Sequence, residues 1–152
     1  MIMAGKTLIV IVGPTGSGKT DLAVAVAEHF GSPVVSTDSR QIYRDLPIGT
    51  AHPDAEQLRR VRHYFIATHE LTEDFNCGAY EAAASELLDS LFARYDTVVA
   101  VGGSGLYVKA LCEGMDDMPQ CDARLRERLA ERLREEGVDV LAEELRRLDP
   151  EF

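Results

Sequence analysis

Residues 7–30 read TLIVIVGPTGSGKTDLAVAVAEHF, and the rest of the chain is read outward from them. Positions 8–12 are an uninterrupted apolar run, the pattern of a parallel strand covered on both faces. The next eight residues, Gly13-Pro14-Thr15-Gly16-Ser17-Gly18-Lys19-Thr20, satisfy G-x-x-x-x-G-K-[ST] at every fixed position. Behind them Leu22, Val26 and Phe30 recur every four residues and predict an amphipathic helix with those side chains as its apolar stripe. Gly31 then stands where a left-handed cap would end that helix. Strand, glycine loop and helix together are the context the motif requires.

The residue types follow from what an anion needs. Glycines let successive backbone N–H groups turn toward it without a Cβ clash. A helix N-terminus adds unpaired donors and a partial positive charge. Lys19 supplies a mobile cation for a terminal phosphate, and the Thr20 hydroxyl suits magnesium. The loop therefore predicts a phosphate or diphosphate ligand, without saying what becomes of it.

The composition sets outer bounds. A length of 152 residues predicts one domain, and 45% hydrophobic with 28% charged content is globular. Three scattered cysteines, Cys77, Cys112 and Cys121, make no C-x-x-C and read as reduced thiols of a cytoplasmic protein. No segment reaches membrane-span length, and residues 1–6 are too short for a signal peptide. His63 and His69 lack metal-site spacing. A formal net charge of −10 argues against broad affinity for nucleic acid, though not against a local basic patch. Arg59, Arg60 and Arg62 are one candidate patch. Arg124, Arg126, Arg128, Arg132 and Arg134, interrupted by glutamates, are another, and each alone reads first as a solvated helix face.

Farther along, residues 32–37 predict a second strand that runs into Thr37-Asp38-Ser39-Arg40-Gln41. Polar residues past a strand's carboxyl end are where open α/β sheets place ligand contacts. Asp38 is the leading candidate there, as a base or as a support for magnesium through water. The competing reading is an Asp capping a short helix over 39–43. Residues 44–53 read as a loop, 54–62 as a short charged helix, 64–67 as a buried strand, and 69–76 as loop. A helix over 78–95 follows, with Ala84, Leu87, Leu88 and Leu91 on its apolar side.

A near-continuous apolar strand over 96–101 leads into Gly102-Gly103-Ser104-Gly105 and a helix over 106–113. That turn lets backbone approach a ligand or the first loop, but an ordinary tight turn would look the same. Most P-loop ATPases and GTPases carry a magnesium-supporting acid at such a strand end. Here glycines stand instead, which again directs attention to Asp38. Asp116, Asp117, Pro119 and Asp122 predict a polar hinge. Beyond it Leu125, Leu129 and Leu133, then Leu141, Leu145 and Leu148, step along two charged helices, with Asp122 and Asp139 as N-caps. The expected architecture is α/β, a P-loop parallel sheet flanked by helices, with a core over 1–117 and the start of a helical insertion over 118–152.

With these residues laid out, the chain resembles the bacterial tRNA dimethylallyltransferases, P-loop prenyltransferases that modify the adenine beside the anticodon. The likeness rests on GPTGSGKT at 13–20, DSRQIYRDLPIGTAHP at 38–53, VGGSGLYVKALCEG at 101–114 and the D-x-x-L-R helix start at 122–126. The resemblance implies transfer of a dimethylallyl group from its diphosphate to the exocyclic amine of adenine. It implies that 13–20 hold the diphosphate, with Lys19 on its oxygens and Thr20 on Mg2+. It implies Asp38 at the amine proton, with Ser39, Arg40 and Gln41 touching a flipped-out nucleotide. Ser104, where the family often has Thr, would support the leaving oxygens beside the tRNA, and Arg126 would touch tRNA. The family's usual double-His stretch reads Arg62-His63-Tyr64-Phe65 here. tRNA and dimethylallyl diphosphate are thus the implied partners of a cytoplasmic monomer with no membrane attachment. Family members extend well beyond 152 residues, so the resemblance implies a fragment whose insertion is cut short and which is inactive alone. An ATP-dependent nucleoside or small-metabolite kinase, a prenyltransferase of free adenine nucleotides and a non-enzymatic nucleotide-binding module remain the alternatives.

Overall fold

The computed structural model describes residues 5–115 and 122–151, so the expected hinge residues Asp116, Asp117 and Pro119, together with Cys121, lie outside the described residues. The chain divides into two compact units, Met1–Met115 and Asp116–Phe152.

The first unit is built on four parallel strands, β1 (Thr7–Val12), β2 (Val34–Ser36), β3 (His63–Tyr64) and β4 (Thr97–Gly102), in the order β1-β4-β2-β3. The order departs from chain order because each strand is followed by a crossover long enough to move sideways across the sheet. β4, apolar almost throughout, takes the central place, and Val98, Val99 and Ala100 are fully buried. β1 has both faces partly covered, as its apolar run predicts: Ile9 and Ile11 pack against one core cluster, and Leu8 and Val10 against the other. It stands at the sheet border, pairing with β4 alone among the described residues; its residues are half-buried at best, and Val12 is 61% exposed. β3 is two residues rather than four, because Phe65 turns to a positive φ of 58° and ends the pairing.

Helix α1 (Lys19–Phe30) follows the glycine loop and ends on Gly31 at φ 59°, as the cap rule requires. Its buried face, however, is Ala23, Val24 and Ala27, while Leu22 and Phe30 are half exposed. Two alanines on that face let the helix lie close against β4 and its neighbours, and they form one core with Val34, Val61, Val99 and Val101. On the opposite face of the sheet, Val35, Val98 and Ala100 pack against Leu91 and Phe92 of α3 (Cys77–Phe92). Tyr80 of α3 is fully buried and stacks on Tyr107 of α4 (Gly105–Glu113), with ring centroids 4.0 Å apart and planes 16° apart.

The short α2 (Ala55–Arg60) begins with a capping box from Asp54 and Gln57. It is tied to α1 by Arg60, which grips both oxygens of Glu28, and by the Gln57 amide on Asp21. The Arg60 guanidinium holds the Glu28 carboxyl below the usual carboxylate range. In the second unit α5 (Ala123–Glu136) and α6 (Val138–Leu148) form the expected hairpin, joined where Arg132 reaches Glu136 and Glu144. Asp122 caps α5 through the Arg124 amide. Asp139 does not cap α6: Gly137 holds that position, and Asp139 lies in the first turn, where it still favours the positive helix end. Among the described residues, no helix is long and apolar enough to cross a membrane.

Candidate active site

Parallel pairing brings three strand ends to one side of the sheet. Val12 pairs with Gly102, and Ser36 pairs with Val101, so the turns after β1, β4 and β2 stand side by side. The site is the rim these turns make.

The first turn is the glycine loop. Gly16 and Gly18 sit at φ 81° and 77°, a region in which an L side chain is strained, so both positions call for glycine. Ser17 N–H donates to the Pro14 carbonyl at 3.3 Å, and the first α1 backbone donor with a carbonyl one turn back is Leu22, on Gly18. The amides of Lys19, Thr20 and Asp21 therefore have no partner within the helix, which is the anion-binding property of a helix start. Lys19 curls back so that Nζ donates to the Pro14 carbonyl at 3.1 Å. Its ammonium thus already lies over the loop. Gly13 is crowded, since a Cβ there would stand 3.0 Å from Ser17 Oγ.

The second turn, Gly102-Gly103-Ser104-Gly105, abuts both neighbours. A Cβ on Gly103 would come within 3.2 Å of the Gly13 carbonyl oxygen, and one on Gly102 would run into Thr37. The sequence left open whether these glycines serve close backbone approach or a plain turn. Gly102 and Gly103 serve close approach, to the 37–41 turn and to the first loop respectively, while a Cβ on Gly105 would meet nothing within 4 Å. Ser104 occupies the N-cap of α4 without capping it. Its Oγ instead accepts from Ser39 N–H at 2.9 Å and donates to Ser39 Oγ at 3.0 Å, while Ser104 N–H donates to the Thr37 carbonyl.

The third turn carries Asp38. No helix forms over 39–43. Asp38 Oδ1 nevertheless accepts from Arg40 N–H at 2.9 Å and Gln41 N–H at 3.3 Å, so the capping behaviour is real even though the helix is not. Oδ2 has no protein partner among the described residues and remains available to a ligand. Arg40 is exposed and Ser39 half-buried. Gln41 is buried, and its carboxamide is occupied within the protein, accepting from Ser36 Oγ and donating to the carbonyls of Thr50 and Ala51. Thr20 is half-buried in the first turn of α1, and Pro14 and Thr15 complete the loop. Arg126 lies exposed on α5, in the second unit.

Sequence reading passed over a supporting strap. Arg44 donates to the carbonyls of Ala67 and Thr68 and pairs with Glu70, while Ala67 N–H donates to the Gln41 carbonyl. Ala51 and Ala67 are both left-handed, at φ 50° and 52°. Strained alanines held by hydrogen bonds beside a polar turn often mark a functional site, but no sequence pattern announces them. His52 is also near Asp38. Burial pulls its pKa below the usual histidine value, with the Gln41 backbone and the Asp38 charge opposing.

A parallel sheet with a glycine loop, a carboxylate turn and a serine bridge on adjacent strand ends defines a P-loop α/β protein. Comparison with known proteins narrows the class. The sequence profile described as IPP transferase matches residues 41–152, and the chain belongs to that family. Over 146 residues it is 50% identical to tRNA dimethylallyltransferase 1 of Phocaeicola vulgatus, covering 96% of this chain and 49% of that protein. It is 47% identical to tRNA dimethylallyltransferase of Cytophaga hutchinsonii, covering 99% and 50%. Among solved structures, the full-length tRNA isopentenylpyrophosphate transferase of Bacillus halodurans superposes with a TM-score of 0.70 at 32% identity, covering 97% of this chain and 48% of that one. A eukaryotic dimethylallyltransferase acting on tRNA superposes at 0.79 with 25% identity, covering 95% and 36%. The chain spans about half the length of the curated relatives it matches.

Proposed function

We propose that these residues supply the donor-binding and acceptor-activating half of an enzyme that moves a dimethylallyl group from dimethylallyl diphosphate to the exocyclic amine of the adenine adjacent to the anticodon in tRNA. The observation that carries the proposal is the continuous rim of three turns, in which the Ser104–Ser39 bridge ties the Asp38 turn to the turn that touches the phosphate loop. The relatives named above support the substrate class.

On this reading the amides at the start of α1 and the Lys19 ammonium bind the diphosphate. As the carbon–oxygen bond breaks, its electron pair passes to the departing pyrophosphate, where fixed donors stabilise the growing charge. The adenine amine forms the new carbon–nitrogen bond, and its proton passes to Asp38 Oδ2. Arg40, Ser39 and Ser104 line the rim where a flipped nucleotide would enter, and Arg126 would touch tRNA from the insertion that begins with α5. The donor set also fits magnesium. Thr20 Oγ1, and Asp38 through water, would hold the ion together with diphosphate oxygens. That ion would neutralise diphosphate charge. The enzyme would act in the cytoplasm, as a monomer.

The test uses a full-length version given dimethylallyl diphosphate or ATP, with tRNA or adenosine monophosphate. Prenylated tRNA without ATP consumption is expected; phosphoryl transfer from ATP would overturn the proposal in favour of a kinase. Asp38→Asn keeps an oxygen for the turn but loses the base. It should abolish turnover while diphosphate affinity stays within a few-fold. Lys19→Ala should weaken both.

A further inference from the structure

We propose that Gln41 is a positioning residue, which clamps the 46–52 loop onto the Asp38 turn and so shapes the acceptor side of the site; the proposal rests on the prenyl-transfer reading above. Every polar group of Gln41 has a use. Its backbone N–H donates to Asp38 Oδ1 at 3.3 Å, and its carbonyl accepts from Ala67 N–H at 2.9 Å. Its side-chain oxygen accepts from Ser36 Oγ at 3.2 Å, and Nε2 donates to Thr50 O at 3.2 Å and Ala51 O at 2.8 Å. The residue is 8% exposed, so each bond is sheltered from competing water.

What the carboxamide holds is informative. Ala51 is left-handed, a conformation alanine leaves unless its surroundings impose it, and its carbonyl makes the shorter of the two Nε2 bonds. The loop is otherwise closed on itself by Thr50 N–H to Leu46 O, Ala51 N–H to Ile48 O and His52 N–H to Pro47 O. It is therefore a preformed unit, and the two Gln41 Nε2 bonds fasten it to the Asp38 turn. Ile48 in this loop is 95% exposed, an apolar side chain held out into solvent. A merely structural glutamine would tie down core. This one ties a strained loop to the residue that carries the base.

Gln41→Met keeps the length and removes both donors and the acceptor. In a full-length version, hydrogen exchange at Thr50, Ala51 and His52 should rise about tenfold or more with β4 amides unchanged, as local opening predicts. Misplacing the acceptor side should lower kcat by about 10- to 100-fold, with the KM for dimethylallyl diphosphate within about twofold. Unchanged exchange over 46–52 overturns the proposal, as does a rise shared equally by β4, which would mean global destabilisation. If the unaltered enzyme transferred no prenyl group, the functional reading would fall, while the exchange arm would still decide whether Gln41 is the clamp.

Discussion

Replacing Gly102 by alanine tests whether the site depends on close backbone approach. The added Cβ would stand 2.5 Å from the Thr37 carbonyl carbon and 2.6 Å from its oxygen, and it would also meet Thr37 Oγ1. Non-bonded carbons rest at about 3.5–4.0 Å, so one backbone must retreat by roughly 1 Å. The retreat strains two hydrogen bonds, Thr37 N–H to Val101 O at 2.8 Å and Ser104 N–H to Thr37 O at 3.3 Å. Overpacking costs about 1–3 kcal/mol, and weakening those bonds adds about 1 kcal/mol more. The sum, about 3 kcal/mol, should lower the midpoint by roughly 10 °C for a chain of this size. Urea unfolding followed by circular dichroism reads the loss directly. Gly105→Ala is the control, because its Cβ would meet nothing within 4 Å, and Gly103→Ala, at 3.2 Å from Gly13 O, should fall between the two. A Gly102→Ala loss below about 1 kcal/mol would refute the crowding argument. So would full rescue by Thr37→Ala, since that change leaves the two backbone contacts in place.

Other outcomes follow from buried polar groups. Tyr80→Phe removes a phenol that donates to Ser36 O at 3.0 Å from a fully buried site, and should cost about 1–2 kcal/mol in the same unfolding assay. Thr37→Val should be neutral or stabilising by up to about 1 kcal/mol, because Thr37 Oγ1 is buried without a partner among the described residues. His63 is held below the ordinary histidine pKa by burial, and its Nε2 is buried without a partner among the described residues. The unfolded chain therefore takes up the proton first, so stability is full above about pH 6.5 and falls as pH drops below it; His63→Phe should flatten that slope. Tyr107 is pushed up to about 12 by burial, so the folded state keeps a proton that the unfolded chain releases near pH 10. Stability should fall as pH rises from about 10 to 12, with no phenolate absorbance from Tyr107 before unfolding.

The parts legible in the sequence are those where backbone geometry dictates residue type. The loop at 13–20 needs glycine at Gly16 and Gly18 and a cation at Lys19, so the motif could be read residue by residue. β4 announced itself by an apolar run because it is buried on both faces. The α1 face was misread for a physical reason. Of Leu22, Val26 and Phe30 only Val26 packs against the core; the buried face is Ala23, Val24 and Ala27, and the small alanines allow close approach but carry little hydrophobic signal. β1 carries the same apolar signal as β4 and has both faces partly covered, but a sequence cannot say which strand will stand at the sheet border. Asp38 met the capping reading only in part: Oδ1 braces a turn through the Arg40 and Gln41 amides, but no helix follows it. The roles of Gln41 and of the left-handed alanines lie in long-range hydrogen bonds, which leave no periodicity to find.

The border position of β1 has a consequence for anyone handling these residues alone. Among the described residues no strand pairs with Thr7–Val12 on the side away from β4, so its main-chain donors and acceptors there form an open border. Such a border is a template on which a foreign strand can zip. At high concentration the material should accrete into ordered, sheet-rich oligomers, and a lysine or proline set at the solvent side of that border should keep it dispersed.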